Sequence, residues 1–110
     1  MPGSYTESEW KLFQRHKPQM LEELSKRLNA KFIKILQDSS LSQYERYIKL
    51  FESIRKSDRI VGDCFDDWKR SLFPAFAVQL ARHKLIPDEL WSKLSPETRS
   101  DIERVLSRGF

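Results

Sequence analysis

The chain has 110 residues, with 20 Lys+Arg, 16 Asp+Glu, 2 His and 1 Cys. That is room for one ordinary domain with one modest core. A single cysteine excludes an internal disulfide and a cysteine-based metal framework. Charged residues at 33% exclude a bilayer-spanning chain, and aromatic residues at 12% argue against disorder. Residues 2–20 are polar and lack the apolar core of a secretory leader, so a reducing, cytoplasmic setting is expected. The net charge of +4 is spread thinly, with both signs interleaved. It permits an acidic partner surface without demanding nucleic acid.

Val, Thr and Gly are scarce, while Leu, Lys, Arg and Glu abound. Those residues lose little rotamer freedom in a helix, so the chain reads as all-α. Thr6-Glu7-Ser8-Glu9 is a capping box that opens the first helix. Tyr5 and Trp10 flank it at the spacing of a hydrophobic staple. Pro18 should kink or restart this helix. Met20, Leu21, Leu24, Leu28, Phe32, Ile35 and Leu36 then mark an apolar stripe.

Residues 38–42 read as a turn, and Ser42 with Glu45 forms a second capping box. Tyr44, Tyr47, Ile48, Phe51, Ile54, Val61, Phe65, Trp68 and Leu72 follow at steps of one, three, four or seven. The pattern predicts a helix over 43–73, interrupted in its stripe by Asp58. Such a helix would measure about 46 Å, against an expected radius of gyration of about 13 Å. Either it breaks near Gly62, or a second copy covers part of its stripe. The second outcome is expected: an elongated dimer built along this helix.

Pro74 should end or bend that helix, with a further helical segment over 75–84. Pro87 fits the first position of a short helix with Asp88 and Glu89 in its first turn. Ser95 and Pro96 open the last helix, and Gly109 is its expected stop. The chain is therefore expected to be a single domain, with an extended helical part over 6–73 and a small helical head over 74–110.

Catalytic material is sparse. His16 and His83 lack a second His at helical spacing, and Cys64 lacks a partner cysteine. Asp63, Asp66 and Asp67 read as a solvated helix face paired with Arg59 and Arg70. No catalytic residue, metal or cofactor is expected, and the chain reads as a non-enzyme. Lys93, Arg99, Arg104 and Arg108 in the last part admit a small DNA- or RNA-binding helical domain, but Glu97, Asp101 and Glu103 dilute that basic face. Trp10, Trp68 and Trp91, with seven Phe and three Tyr, point instead to a protein-interaction module.

The run from Tyr47 to Leu106 resembles the fluorescence recovery protein family. The resemblance rests on Tyr47-Ile48-Lys49-Leu50-Phe51-Glu52-Ser53-Ile54, Phe65-Asp66-Asp67, Ala77-Val78-Gln79-Leu80, Lys84-Leu85-Ile86, Asp88-Glu89-Leu90 and Ser95-Pro96-Glu97-Thr98-Arg99. It implies a helical homodimer whose partner is the orange carotenoid protein. Family members bind the photoactivated form of that photoprotective protein, speed its return to the orange state and help release it from the phycobilisome. The resemblance implies no cofactor, no nucleic acid and no membrane insertion. It maps the family's dimer-centre Trp onto Tyr47 or Ile48, its acidic position onto Glu52, and its Arg onto Asp58, with Arg59 beside it. With Phe51 and Ile54 these form the expected dimer interface. Phe76 and Arg99 are the nearest matches to the family's partner-binding residues. A helical dimer with a different partner is the alternative.

Overall fold

The computed structural model describes residues 3–109, and all its regular structure is helical. Phe110, the end of the expected head, lies outside the described residues. Helix α1 spans Glu7–Leu36 and α2 spans Gln43–Phe65. A 3-10 turn at Arg70–Leu72 leads into α3, Phe73–Arg82. The short α4, Asp88–Ser92, and α5, Pro96–Ser107, complete the chain. The molecule measures 59 × 28 × 24 Å, with a radius of gyration of 16.8 Å. That exceeds the ~13 Å of a compact domain of this length.

Local signals set the helix starts. Both capping boxes form: Thr6 accepts from the Glu9 N–H and Ser42 from the Glu45 N–H, while each glutamate reaches back. Ser95 caps α5 with Pro96 in its first turn. Gly109 follows α5 at φ 79°, a conformation glycine adopts without strain. Tyr5 and Trp10 both pack onto Phe73, with ring centroids 5.3 and 5.4 Å away.

Two expectations change. Helix α1 runs unbroken through Pro18. An interior proline costs about 3 kcal/mol, but Phe13, His16, Met20 and Leu24 bury the same helix on both sides of it. Four buried side chains outweigh that cost. Helix α2, in turn, stops at Phe65 rather than continuing to 73. The Asp66 N–H closes the last turn onto the Gly62 carbonyl at 2.9 Å, and Asp67 then turns the chain at φ 53°. Gly62 lies inside the helix, where a Cβ would meet the Asp66 carboxylate at 3.1 Å. The break lets Trp68 stack on Phe76 (4.8 Å), Trp10 (5.6 Å) and Phe65 (6.0 Å). Trp68 and Leu72 therefore leave the α2 stripe.

The head is assembled from both ends of the chain. Trp10, Phe13, Met20 and Leu24 of α1 join Cys64, Phe65, Phe73, Phe76, Leu80, Leu90, Leu94 and Ile102 in one core. The first half of α1 thus belongs to the head expected over 74–110 alone. Beyond Leu28 of α1 and before Ile60 of α2, no residue joins that core. The rest is a two-helix arm.

Arginines clamp the helix ends. Arg46 donates from Nε to the carbonyls of Asp38 (2.8 Å) and Leu41 (3.1 Å), holding the loop at the arm's tip. Arg27 donates to the carbonyls of His83 (2.7 Å) and Lys84 (2.9 Å), closing the end of α3.

Candidate functional site

The arm is the candidate site, and its character follows from which face of α2 meets α1. Arg46, Leu50, Ser53, Ser57, Ile60 and Cys64 recur at three- and four-residue steps and form the seam toward α1. Ser53, Ser57 and Cys64 are buried there. The hydroxyls of Ser53 and Ser57 have no hydrogen-bond partner. Small side chains let two helices approach closely, at the cost of little buried apolar area.

At ~100° per residue, the stripe Tyr44, Tyr47, Phe51, Ile54 lies to one side and back of that seam. These residues are 71, 62, 52 and 46% exposed; across the hairpin, Ile33 and Leu36 of α1 are 53 and 49% exposed. Taking about 200 Å² per residue, these six expose on the order of 650 Å² in all, tyrosine hydroxyls and backbone included. The apolar share lies at the upper end of the patches found on monomers, against the ~800 Å² each partner gives to a standard interface. Tyr44 and Tyr47 lean together at 6.4 Å, and the Arg55 guanidinium lies 5.8 Å from the Phe51 ring.

The opposite side of the hairpin is basic. Lys31, Lys34, Lys49 and Lys56 line a cleft of about 440 Å³ with Ile35, Ser53 and Asp38. Glu52, Arg55, Lys56 and Arg59 line a second hollow beside it.

The expected interface residues therefore divide. Tyr47, Phe51, Ile54 and Asp58 share the apolar side, with Ile48 half-buried at its margin. Glu52 and Arg59 lie on the basic side. Phe76, expected on a partner-facing surface, is 3% exposed and stacks on Trp68 in the core. A ring enclosed by the head offers no surface to a partner. Arg99 is half-buried on α5. Arg104 pairs with Asp101, and Lys93 lies 3.9 Å from Glu89, so part of the last segment's basic charge is already partnered. Arg70 reaches Glu7 at 3.1 Å rather than the aspartates after α2.

Among the described residues no cluster of His, Cys, Asp and Glu could hold a metal ion, and no helix is long and apolar enough to cross a membrane. His16 is buried, its Nδ1 2.9 Å from the Leu12 carbonyl oxygen and its Nε2 3.8 Å from Glu89. Cys64 is fully buried, and burial, aided by Asp63, pushes its thiol pKa up to about 11. That holds the protonated, unreactive form.

One buried carboxylate escaped the sequence reading. Glu9 caps α1, but it also accepts from the Ser95 N–H at 2.7 Å and the Thr98 hydroxyl at 2.9 Å. It ties the first helix to the last. Burial raises its pKa, but the Ser95 and Thr6 N–H groups and the Thr98 and Thr6 hydroxyls outweigh burial and hold it below the usual value. The tyrosine beside it is fixed likewise: the Tyr5 N–H donates to Thr98 at 2.8 Å and its hydroxyl to Asp101 at 2.6 Å. Burial and then the Asp101 carboxylate raise the Tyr5 pKa. The capping-box pattern accounts for Glu9 only locally; nothing in its spacing points to Ser95.

No protein-family model, curated protein or solved structure matches this chain.

Proposed function

We propose that the chain acts by protein contact rather than bond chemistry, as a homodimer joined through the apolar side of its arm. One observation carries this reading. Helix α2 turns its small, partly polar seam toward α1 and leaves Tyr44, Tyr47, Phe51 and Ile54 to solvent. In a monomer the reverse orientation would bury more apolar surface. The observed one suits a second copy laid against the arm, giving four helices where two cannot enclose a core. Size-exclusion chromatography with light scattering tests it. The expected mass is twice 13.1 kDa; a monomer at every micromolar concentration would overturn the proposal.

The resemblance over Tyr47 to Leu106 supplies a partner: the photoactivated orange carotenoid protein in the cytoplasm, returned faster to its orange state and released from the phycobilisome. A protein that speeds relaxation without chemistry binds the transition state for relaxation more tightly than the active ground state. A rigid dimer does so by holding the target's separated parts at high effective concentration. On the head, Arg99 is the partner-facing candidate that remains accessible. The test is the red-to-orange decay in the dark with substoichiometric protein. Faster decay, weakened by Arg99→Glu, is expected. An unchanged decay with both proteins folded would remove the carotenoid protein as partner and leave the dimer standing.

A further inference from the structure

The basic cleft is chemically unlike the apolar side, and the proposed dimer leaves it open. Four lysines face one aspartate across it, and among the described residues none of the four makes an ion pair. Ile35 and Ser53 complete its lining. The four unpaired ammonium groups leave the cleft with an excess of positive charge over an apolar base, which suits an acidic ligand.

We propose that this cleft docks an acidic, amphipathic segment of a protein partner. Carboxylates would meet the ammonium groups of Lys31, Lys34, Lys49 and Lys56. Apolar side chains would lie on Ile35 and the lysine stems, whose methylenes cover apolar surface while their heads stay wet. The lysine pairs span Lys31 to Lys34 on one wall and Lys49 to Lys56 on the other, the longer being about 10 Å at ~1.5 Å per residue. That is two turns of a docked helix. A nucleic-acid backbone fits less well, because its charge continues past the cleft. It would meet Asp38 at the tip and Glu52 along the flank.

The probe is a short fluorescein-labelled helical peptide with glutamates on one face and leucines on the other, titrated into the full chain at physiological salt. Saturable anisotropy change is expected. Lys49→Glu with Lys56→Glu, both exposed positions, should weaken binding about tenfold or more. Asp38→Asn should tighten it. Phe51→Glu, on the other side, should leave peptide affinity within about twofold while removing the dimer. This separates failure of the cleft from failure of the dimer. No binding by the unaltered chain, or equal binding by the charge-reversed variant, overturns the proposal. So does tighter, more salt-sensitive binding of single-stranded DNA of equal charge, which would assign the cleft to nucleic acid.

Discussion

The head and the arm are built from the same helices yet solve opposite problems. In the head, Trp10, Phe13, Phe65, Trp68, Phe73 and Phe76 pack ring against ring, and the buried carboxylate of Glu9 has all its hydrogen bonds. In the arm, Tyr44, Tyr47 and Phe51 face water, while the hydroxyls of Ser53 and Ser57 are buried without partners. The head encloses its aromatic rings, and among the described residues it leaves one buried polar atom, Trp68 Nε1, without a partner. The arm leaves apolar groups outside and polar groups inside. Aromatic abundance alone therefore says nothing about interfaces; what matters is whether a third layer is available to enclose the rings.

The largest expected effect lies in the head. Phe76→Ala should cost about 3–5 kcal/mol by leaving a cavity beneath Trp68. Denaturant unfolding would measure it, while the dimerisation constant of the folded fraction stays unchanged. A loss under ~1 kcal/mol would mean that the ring is not enclosed. The matching change in the arm has the opposite signature. Phe51→Glu should weaken self-association about a hundredfold, because in the proposed dimer two like charges enter one apolar interface. Thermal stability of the head should hardly move. If instead the variant unfolds with its mass unchanged, the stripe is core and the contrast between the two regions fails.

Next is Glu9, where the sign of the pH dependence is fixed by the shift. Its folded pKa lies below the ordinary value of a glutamate. The stabilisation is therefore fully present above that value and is lost as pH falls through the folded pKa. Glu9→Gln should cost roughly 2 kcal/mol at neutral pH, since charge-assisted bonds to Ser95 and Thr98 weaken. The variant should also lose less stability than the parent between neutral pH and acid. Parallel acid profiles would show that Glu9 does not link α1 to α5 through its charge.

How much of this was legible in the sequence differs between the two regions. The caps at Thr6, Ser42 and Ser95 were, because each satisfies backbone donors within three residues. The apolar stripe of α2 was legible as a stripe, since periodicity marks a face. It does not say what that face meets, and Phe65 from the same stripe joins the core while Phe51 stays wet. The end of α2 was hidden because Trp68 stacks on Trp10 and Phe76, residues distant from it or beyond a turn. Pro18 does not restart α1, because tertiary burial on both sides of it outweighs the local penalty. Phe76 was expected on a partner-facing surface, but its burial depends on α1 and the turn after α2 closing over it. The basic cleft was present as Lys31 and Lys34 three apart and Lys49 and Lys56 seven apart. Their meeting depends on the hairpin register that Arg46 fixes at the tip.

The smallest effect bears most directly on the arm. Ser57 lies in the seam at 3% exposure with its hydroxyl unpaired. Its distance in sequence from the cleft residue Ser53 is one helical turn, yet it lines neither arm hollow. If the hydroxyl is only a spacer, Ser57→Ala removes an unsatisfied group and adds no volume. Stability should then rise by about 1 kcal/mol in denaturant unfolding. A loss of similar size would show that Ser57 finds an acceptor in the assembled protein. Measuring the variant above and below the dimer dissociation constant locates that acceptor. A loss confined to the dimer places it on the second copy and makes the seam part of the interface. A loss at all concentrations places it within the hairpin.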